Sequence, residues 1–265
     1  AIAFKLGAVP FHMWVPDVYD GAPTSVTAFV GTAPKIAAVV FAFRILVTGM
    51  GTIHSDWAPM LAILAVASLV VGNLAAIMQT NIKRMLAYST VSHMGFILLA
   101  FMAGAVGFTA GLYYAITYAV MAAVSFGVLM VLSTKDIECE EIKDLAGLNH
   151  RHAWFAFLML LSMFSMAGIP PLMGFYAKFG VIMALLKQGY VWLSVFAVIM
   201  SLIGAFYYLR VVKVIYFDAP DHDQPVGSNY AAKFVLTVNA FLLLLWGIMP
   251  QTVIDWCAKA LENTL

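Results

Sequence analysis

Residues 153–187 read AWFAFLMLLSMFSMAGIPPLMGFYAKFGVIMALLK and form one long apolar run. Gly168-Ile169-Pro170-Pro171 interrupts this run in its middle, and Lys178 follows shortly afterwards. A run of this length crosses a bilayer with residues to spare. Because two consecutive prolines remove two backbone donors, we expect the helix to break there. A broken helix inside a membrane, with a lysine beside the break, is typical of a functional site.

The composition of the whole chain is that of an integral membrane protein. Of its 265 residues, 63% are hydrophobic and 10% are charged, with a mean hydropathy of +0.95, whereas soluble domains are about 25% charged. The net charge of +1 gives no information about nucleic-acid binding, and the sequence has no basic tract that could bind a nucleic acid. Cys139 and Cys257 form no CxxC pair and no metal-ligand spacing, so no redox centre is indicated.

The apolar runs predict an all-α, polytopic transmembrane helix bundle in a single domain, residues 1–265. Residues 1–14 are predicted to end a membrane helix, and residues 15–23 to form a polar turn. Seven complete spans are predicted to follow, at residues 24–48, 57–79, 85–105, 107–132, 153–187 (broken), 191–217 and 230–249, before an amphipathic tail at 250–265. Since the chain opens abruptly in an apolar run, without Met or a signal-peptide pattern, we expect it to be the C-terminal part of a longer protein whose N-terminal helices are missing.

Lysine and arginine predict the orientation in the membrane. Eight of them fall in loops on one side of the predicted spans: Lys83, Arg84, Lys135, Lys143, Arg151, Arg210, Lys213 and Lys233. Three fall on the other side: Arg44, Lys187 and Lys259. The positive-inside rule therefore predicts that the eight lie in the cytoplasm and that the C-terminus lies outside.

Lys5, Lys35 and Lys178 are the three basic residues that fall inside membrane segments, whereas all thirteen acidic residues are assigned to loops or to the tail. An unpaired buried charge costs several kcal/mol or becomes neutral. The partner of these lysines is therefore expected from outside this piece: from a missing part of the protein, another subunit or water.

These lysines and His93 are candidates for proton transfer. Burial disfavours the charged form of a lysine, so it can release a proton near neutral pH, and a histidine titrates there with little perturbation. We predict that Lys5, Lys35, Lys178 and His93 form a lateral relay at mid-membrane depth. The structural alternatives are that Lys5 extends to an interface and that His93 is a packing residue with satisfied hydrogen bonds.

Three stretches carry a family resemblance. Residues 4–19 (FKLGAVPFHMWVPDVY), residues 79–95 (QTNIKRMLAYSTVSHMG) and residues 167–179 (AGIPPLMGFYAKF) resemble the seventh-helix, following-loop and broken twelfth-helix signatures of the antiporter-like subunits of respiratory complex I. Together they extend over nearly the whole chain. The Pro-Asp-Val-Tyr turn and the lysine on the broken helix are most similar to the N-type subunits.

The resemblance implies residue roles. Lys5 matches a seventh-helix lysine that is partnered by a glutamate on an earlier helix, Lys35 a lysine of the connecting relay, and Lys178 a lysine at the exit side. The helix that carries the glutamate is absent from this chain.

The resemblance also implies a function. The parent complex transfers electrons from NADH to a quinone through FMN and iron–sulfur clusters in other subunits, while this chain has no cofactor or metal of its own and moves protons. Its partners are then a neighbouring antiporter-like subunit, small membrane subunits and the bilayer, in a bacterial inner membrane. Two rivals remain open: a subunit of a multi-subunit Na⁺/H⁺ antiporter, and a purely structural membrane subunit.

Overall fold

The computed structural model describes residues 1–133, 139–220 and 230–262, and these ranges form twelve α-helices. The helices are α1 (Ile2–Leu6), α2 (Trp14–Gly21), α3 (Thr24–Gly31), α4 (Ala33–Arg44), α5 (His54–Met78), α6 (Ile82–Met102), α7 (Gly104–Leu132), α8 (Leu148–Ala167), α9 (Met173–Lys187), α10 (Val191–Phe217), α11 (Tyr230–Ile248) and α12 (Pro250–Glu262). Single turns of other helix types occur at Ile45–Gly49, Gly51–Ile53 and Ile142–Leu145. The predicted all-α fold is confirmed.

Six stretches of the described chain are long and apolar enough to cross a membrane. They are Thr24–Val47, Gly51–Met78, Ile82–Met102, Gly104–Leu132, Val191–Phe217 and Tyr230–Ile248. The remaining predicted span, the broken one at residues 153–187, consists of α8 and α9, which residues 168–172 separate. The break predicted from Pro170 and Pro171 is therefore confirmed.

Helix α6 is the centre of the bundle. It is almost wholly buried, and it packs against α2, α5, α7 and α9. The backbones of α5 and α6 approach closely where small residues permit it, since a Cβ at Gly72 would lie 2.6 Å from the backbone nitrogen of Ser92. Helices α5, α10 and α11 instead expose apolar side chains such as Ile63, Leu202 and Phe234, which suits contact with lipid or with apolar neighbours.

The prediction for residues 1–23 was wrong in its boundaries. Helix α1 ends at Leu6 because Gly7 adopts a left-handed conformation, with φ of 78°. Residues 7–13 are not helical, and α2, from Trp14 to Gly21, occupies most of residues 15–23, which were predicted to be a turn. Pro16 lies in the first turn of α2, where a missing N–H breaks no hydrogen bond of the helix. The negative charge of Asp17, in the same turn, interacts favourably with the positive end of the helix dipole.

The predicted span 24–48 is not continuous. Thr32 has non-helical angles, φ of −115° and ψ of −89°, and it separates α3 from α4. The cause is Pro34, which would clash with the carbonyl of Val30 in an unbroken helix and lacks the N–H to bond it. Lys35 therefore lies in the first turn of α4 and not in the middle of a long helix.

Basic residues that were assigned to one side of the membrane meet at one end of the bundle. Arg84 pairs with Asp17 at 3.0 Å, and Arg210 donates to the carbonyl oxygen of Gln79 at 2.6 Å. Lys135 was assigned to the same side and lies outside the described residues, as do four acidic residues assigned to loops: Asp136, Glu138, Asp221 and Asp223. Which side of the membrane this end faces stays a prediction.

The burial of Lys83 was not indicated by the sequence. It was assigned to a polar loop, but its side chain is only 1% exposed, and its Nζ lies 3.3 Å from a carboxylate oxygen of Glu140. Two backbone hydrogen bonds hold this pair in place, from Ile82 N–H to the Glu140 carbonyl and from Ile142 N–H to the Thr80 carbonyl. The loop at 139–142 thus covers the first turn of α6.

Candidate functional site

Lys178 lies buried in α9 with its ammonium group turned towards the end of α8. Its Nζ donates to the carbonyl oxygen of Ala167 and to the hydroxyl oxygen of Ser201, both at 2.9 Å. The same Nζ lies 5.6 Å from the ring centroid of Phe96. Ala167 is the last residue of α8, and the exposed carbonyls at a helix C-terminus carry partial negative charge. Dipoles and a hydroxyl therefore stabilise this charge, and none of these contacts is a carboxylate.

Lys35 is held in the same way at the end of a different helix, the short α1. Its Nζ donates to the carbonyl oxygens of Leu6 at 2.8 Å and Lys5 at 3.2 Å. It lies 5.1 Å from a ring centroid of Trp14. Leu6 ends α1, so a helix C-terminus and an aromatic face together stabilise the ammonium group.

A glycine follows the helix end at each lysine. Gly168 has φ of 90°, and a Cβ built there would lie 3.0 Å from Cδ of Lys178. Gly7 has φ of 78°, and a Cβ there would lie 3.4 Å from Nζ of Lys35. The left-handed turn ends each helix without a side chain in the way, so the last carbonyls stay open to the lysine.

Lys5 stands apart from this arrangement. Its side chain is exposed in the described chain, and the atom of Lys5 that contacts the buried site is its carbonyl oxygen, bonded to Lys35. The structure therefore brings Lys5 next to Lys35 through the backbone and does not bring its ammonium group into the interior.

His93 occupies the middle of α6 and is buried. Its Nδ1 shares a hydrogen bond with the Tyr114 hydroxyl at 2.8 Å, and its Nε2 shares one with the Tyr208 hydroxyl at 3.0 Å. In either neutral tautomer one ring nitrogen donates and the other accepts. Both tyrosine hydroxyls can reverse their roles, so the histidine can exchange tautomers while both bonds persist.

A small cavity connects His93 with Lys178. Its volume is about 10 Å³, and it is lined by ten residues: Asn73, Ser92, His93, Phe96, Lys178, Met200, Ser201, Gly204, Tyr207 and Tyr208. A cavity of about this volume is just large enough to hold a single water molecule. Tyr207 donates to the side-chain oxygen of Asn73 at 3.0 Å, which fixes one wall. A water in this cavity would have hydroxyl and amide partners.

Further hydroxyl groups continue from His93 towards α4. The hydroxyls of Thr90 and Tyr118 are 2.7 Å apart, and the Tyr118 ring lies 5.2 Å from the His93 ring. The buried Tyr19 hydroxyl lies near this pair but has no hydrogen-bond partner among the described residues. A Cβ at Gly31 would lie 3.2 Å from the Tyr19 hydroxyl. Polar groups thus extend from Lys178 to the turn that precedes Lys35, whose own described hydrogen bonds go to α1.

Sequence reasoning missed part of this network. Asn73, Ser201, Tyr207 and Tyr208 were not chosen, although each is a polar residue within a predicted apolar span, and that placement was the available signal. Ser162, another hydroxyl within a predicted apolar span, lies outside this network and shares a hydrogen bond with Ser125 at 2.7 Å.

The two cysteines have the properties of buried packing residues. Burial, with Asp144 nearby, raises the pKa of the Cys139 thiol to about 12. Burial raises the pKa of the Cys257 thiol to about 11. Both thiols are free. Within 1–133, 139–220 and 230–262, no three His, Cys, Asp or Glu side chains come together as a group that could hold a metal ion.

Comparison with known proteins identifies relatives of the whole chain. A family model described as "NADH:quinone oxidoreductase/Mrp antiporter, TM" matches residues 1–204. The NADH-quinone oxidoreductase subunit N of Neisseria gonorrhoeae is 83% identical over all of this chain, and that of Nitrosomonas europaea is 53% identical. This chain covers 55% of each, so it spans about half the length of the curated relatives that it matches.

Solved structures share the fold. Respiratory complex I from Thermus thermophilus with bound aureothin contains a chain that is 31% identical, with a TM-score of 0.83 over 96% of this chain and 56% of that one. A chain of the Mrp complex from Dietzia sp. has a TM-score of 0.89 at 21% identity, over 99% of this chain and 57% of that one. The second likeness is one of fold alone.

Proposed function

Because the chain belongs to the family of membrane subunits found in NADH:quinone oxidoreductases and Mrp antiporters, we propose that it is the C-terminal half of a complex I subunit N and moves protons across the membrane. The observation that carries the proposal is the pair of buried lysines, Lys35 and Lys178, each held by carbonyl oxygens at the C-terminal end of another helix. The identity of 83% with a subunit N favours this function over that of a Na⁺/H⁺ antiporter subunit.

The chemistry of the site suits a proton that is held and released. Carbonyl and hydroxyl oxygens stabilise an ammonium group less than a carboxylate would, and burial disfavours its charge. A positive charge that arrives near either lysine therefore promotes release of the proton. His93, with Tyr114 and Tyr208 on its two nitrogens, offers a path for that proton between Lys178 and the hydroxyls near α4.

The rest of the assembly follows from the same proposal. Electron transfer from NADH to a quinone would take place in other subunits, which would hold the FMN and the iron–sulfur clusters. This electron transfer would change the charge near one end of the lysine relay and so drive the uptake and release of protons by the lysines. The partners would be an antiporter-like neighbour and small membrane subunits in the bacterial inner membrane, with the C-terminus on the periplasmic side. Lys5 would pair with an acidic residue of the part that this chain lacks.

Lys178→Met in the full-length subunit of the assembled complex tests the proposal. Methionine keeps the length and the apolar packing of the side chain but carries no proton. We expect the initial rate of proton uptake by inverted membrane vesicles to fall by about tenfold or more, as expected when an acid–base group is lost. NADH:quinone turnover is measured in the same vesicles, and a native gel confirms assembly.

Lys259→Met is the matched control, because Lys259 is an exposed lysine of α12. Its uptake rate is expected to equal that of the wild type. Normal proton uptake in an assembled Lys178→Met complex would overturn the proposed role of Lys178.

A further inference from the structure

A second cavity lies at the opposite end of the bundle from Arg84 and Arg210. It has a volume of about 370 Å³, within the usual range of small-molecule sites. The beginning of α7, one side of α9 from Tyr176 to Lys187, and Ile254 of α12 enclose it. It is separate from the lysine and histidine site, which shares none of its lining residues.

Tyr113 gives this cavity an unmet hydrogen-bonding requirement. The residue lines the cavity and is only 2% exposed, and its hydroxyl has no hydrogen-bond partner among the described residues. Buried polar groups in folded proteins are nearly always paired, since an unpaired one loses its hydration without compensation. An acceptor atom that enters the cavity would meet this requirement.

The charge and polarity of the lining residues restrict the kind of molecule that the cavity can bind. Lys187, exposed at the C-terminal end of α9, is a cation that lines the cavity, and none of the described lining residues is acidic. Val106, Met183 and Ile254 make much of the wall apolar. The occupant therefore needs an anionic group at one end and an apolar body.

The position of the cavity suits a molecule of the bilayer. Helix α12 is amphipathic and packs its apolar side, with Val253 and Cys257 buried, against the end of the bundle. Such a helix lies at the boundary between the hydrocarbon core and water. Headgroups and the first carbons of acyl chains occupy this same depth.

We propose that the cavity between α7, α9 and α12 binds one anionic phospholipid, with its phosphate at Lys187, an ester carbonyl oxygen accepting from the Tyr113 hydroxyl, and an acyl chain along the apolar wall. The site is independent of proton transfer.

A photoreactive phosphatidylglycerol, with a diazirine on its acyl chain, tests this proposal. The full-length subunit in its assembled complex is reconstituted into phosphatidylcholine vesicles that contain this lipid. After illumination, mass spectrometry maps the labelled peptides, which we expect to come from residues 106–113 and 176–187 and from α12. Photoreactive phosphatidylcholine is expected to label these segments about fivefold less, the difference typical of one lysine at a membrane surface.

Three variants define the contacts. Gly180→Leu places a side chain in the cavity, since a Cβ at Gly180 would meet only the Ala110 side chain, at 3.7 Å. It is expected to reduce labelling about fivefold or more, and Lys187→Gln about fivefold. Lys259→Gln, at a lysine that does not line the cavity, is expected to label as the wild type does.

Several results would overturn the proposal. Labelling of Gly180→Leu at the wild-type level would show that the lipid does not enter the cavity, and labels confined to other segments would show the same. Equal labelling by the two lipids, or no effect of Lys187→Gln, would refute the anionic headgroup. If Gly180→Leu does not assemble, Lys187→Gln still decides, because its exposed side chain has no role in packing the bundle.

Discussion

Lys35→Met is expected to reduce proton uptake and NADH:quinone turnover together, by about tenfold or more, in inverted vesicles that carry the full-length subunit in its assembled complex. Methionine can still pack over Trp14, but it cannot accept a proton, and it leaves the carbonyls of Lys5 and Leu6 without their donor. Proton uptake is recorded from a pH-sensitive dye, and turnover from NADH absorbance.

Lys35→Arg separates proton transfer from charge. Arginine keeps a positive charge at the end of α1 but does not give up its proton in proteins. If Lys35 transfers protons, the arginine variant will assemble and yet pump as poorly as Lys35→Met. Normal pumping by Lys35→Arg would mean that the site needs only a fixed charge, and the relay through Lys35 would have to be abandoned.

Gly174→Ala is expected to have the largest effect on stability. A Cβ at position 174 would overlap the backbone carbonyl oxygen of Ser165, and a carbonyl inside a helix cannot move aside. The backbone N–H of Gly174 also donates to the Ser165 hydroxyl at 3.1 Å, so α8 and α9 touch at this point. We expect a loss of about 3 kcal/mol, the upper part of the range for overpacking, and displacement of Lys178 one turn later.

Gly180→Ala on the same helix provides the comparison. A Cβ there meets only an ordinary contact at 3.7 Å, so the substitution is expected to be neutral or slightly stabilising. The measurement is the temperature at which half of the detergent-solubilised complex loses the subunit, followed on native gels. Equal midpoints for the two variants would show that α8 and α9 do not cross as closely as described.

The sequence alone predicts the number of apolar spans and that each of them is helical, without information on tertiary contacts. Apolar length and the Gly168–Pro171 interruption suffice for this, because a bilayer permits only helices and imposes their length. The same signals failed at residues 1–48. There a single Gly7 and a single Pro34 decide where helices end, and their effects compete with the surrounding apolar pattern.

Some residues of the candidate site could likewise be predicted from the sequence, and others could not. Lys35, Lys178 and His93 could be chosen from the sequence, because a charged or titratable residue within an apolar run is costly and therefore conspicuous. Ser201 and Tyr208 could not be assigned, since a hydroxyl in an apolar helix is common and its partner is more than twenty residues away. Lys83 was misplaced because a lysine next to a turn is ordinarily exposed, and only the loop that carries Glu140 buries it.

The sequence by itself determined that this chain is a bundle of membrane helices with a broken span and buried lysines, because these properties depend on the local composition of each segment. Only the tertiary structure decided what each lysine contacts. Lys35 and Lys178 both reach carbonyl oxygens at the end of a different helix, and that meeting depends on how helices far apart in the sequence cross. Such crossings follow from the packing of whole helix faces, which no single stretch of sequence specifies.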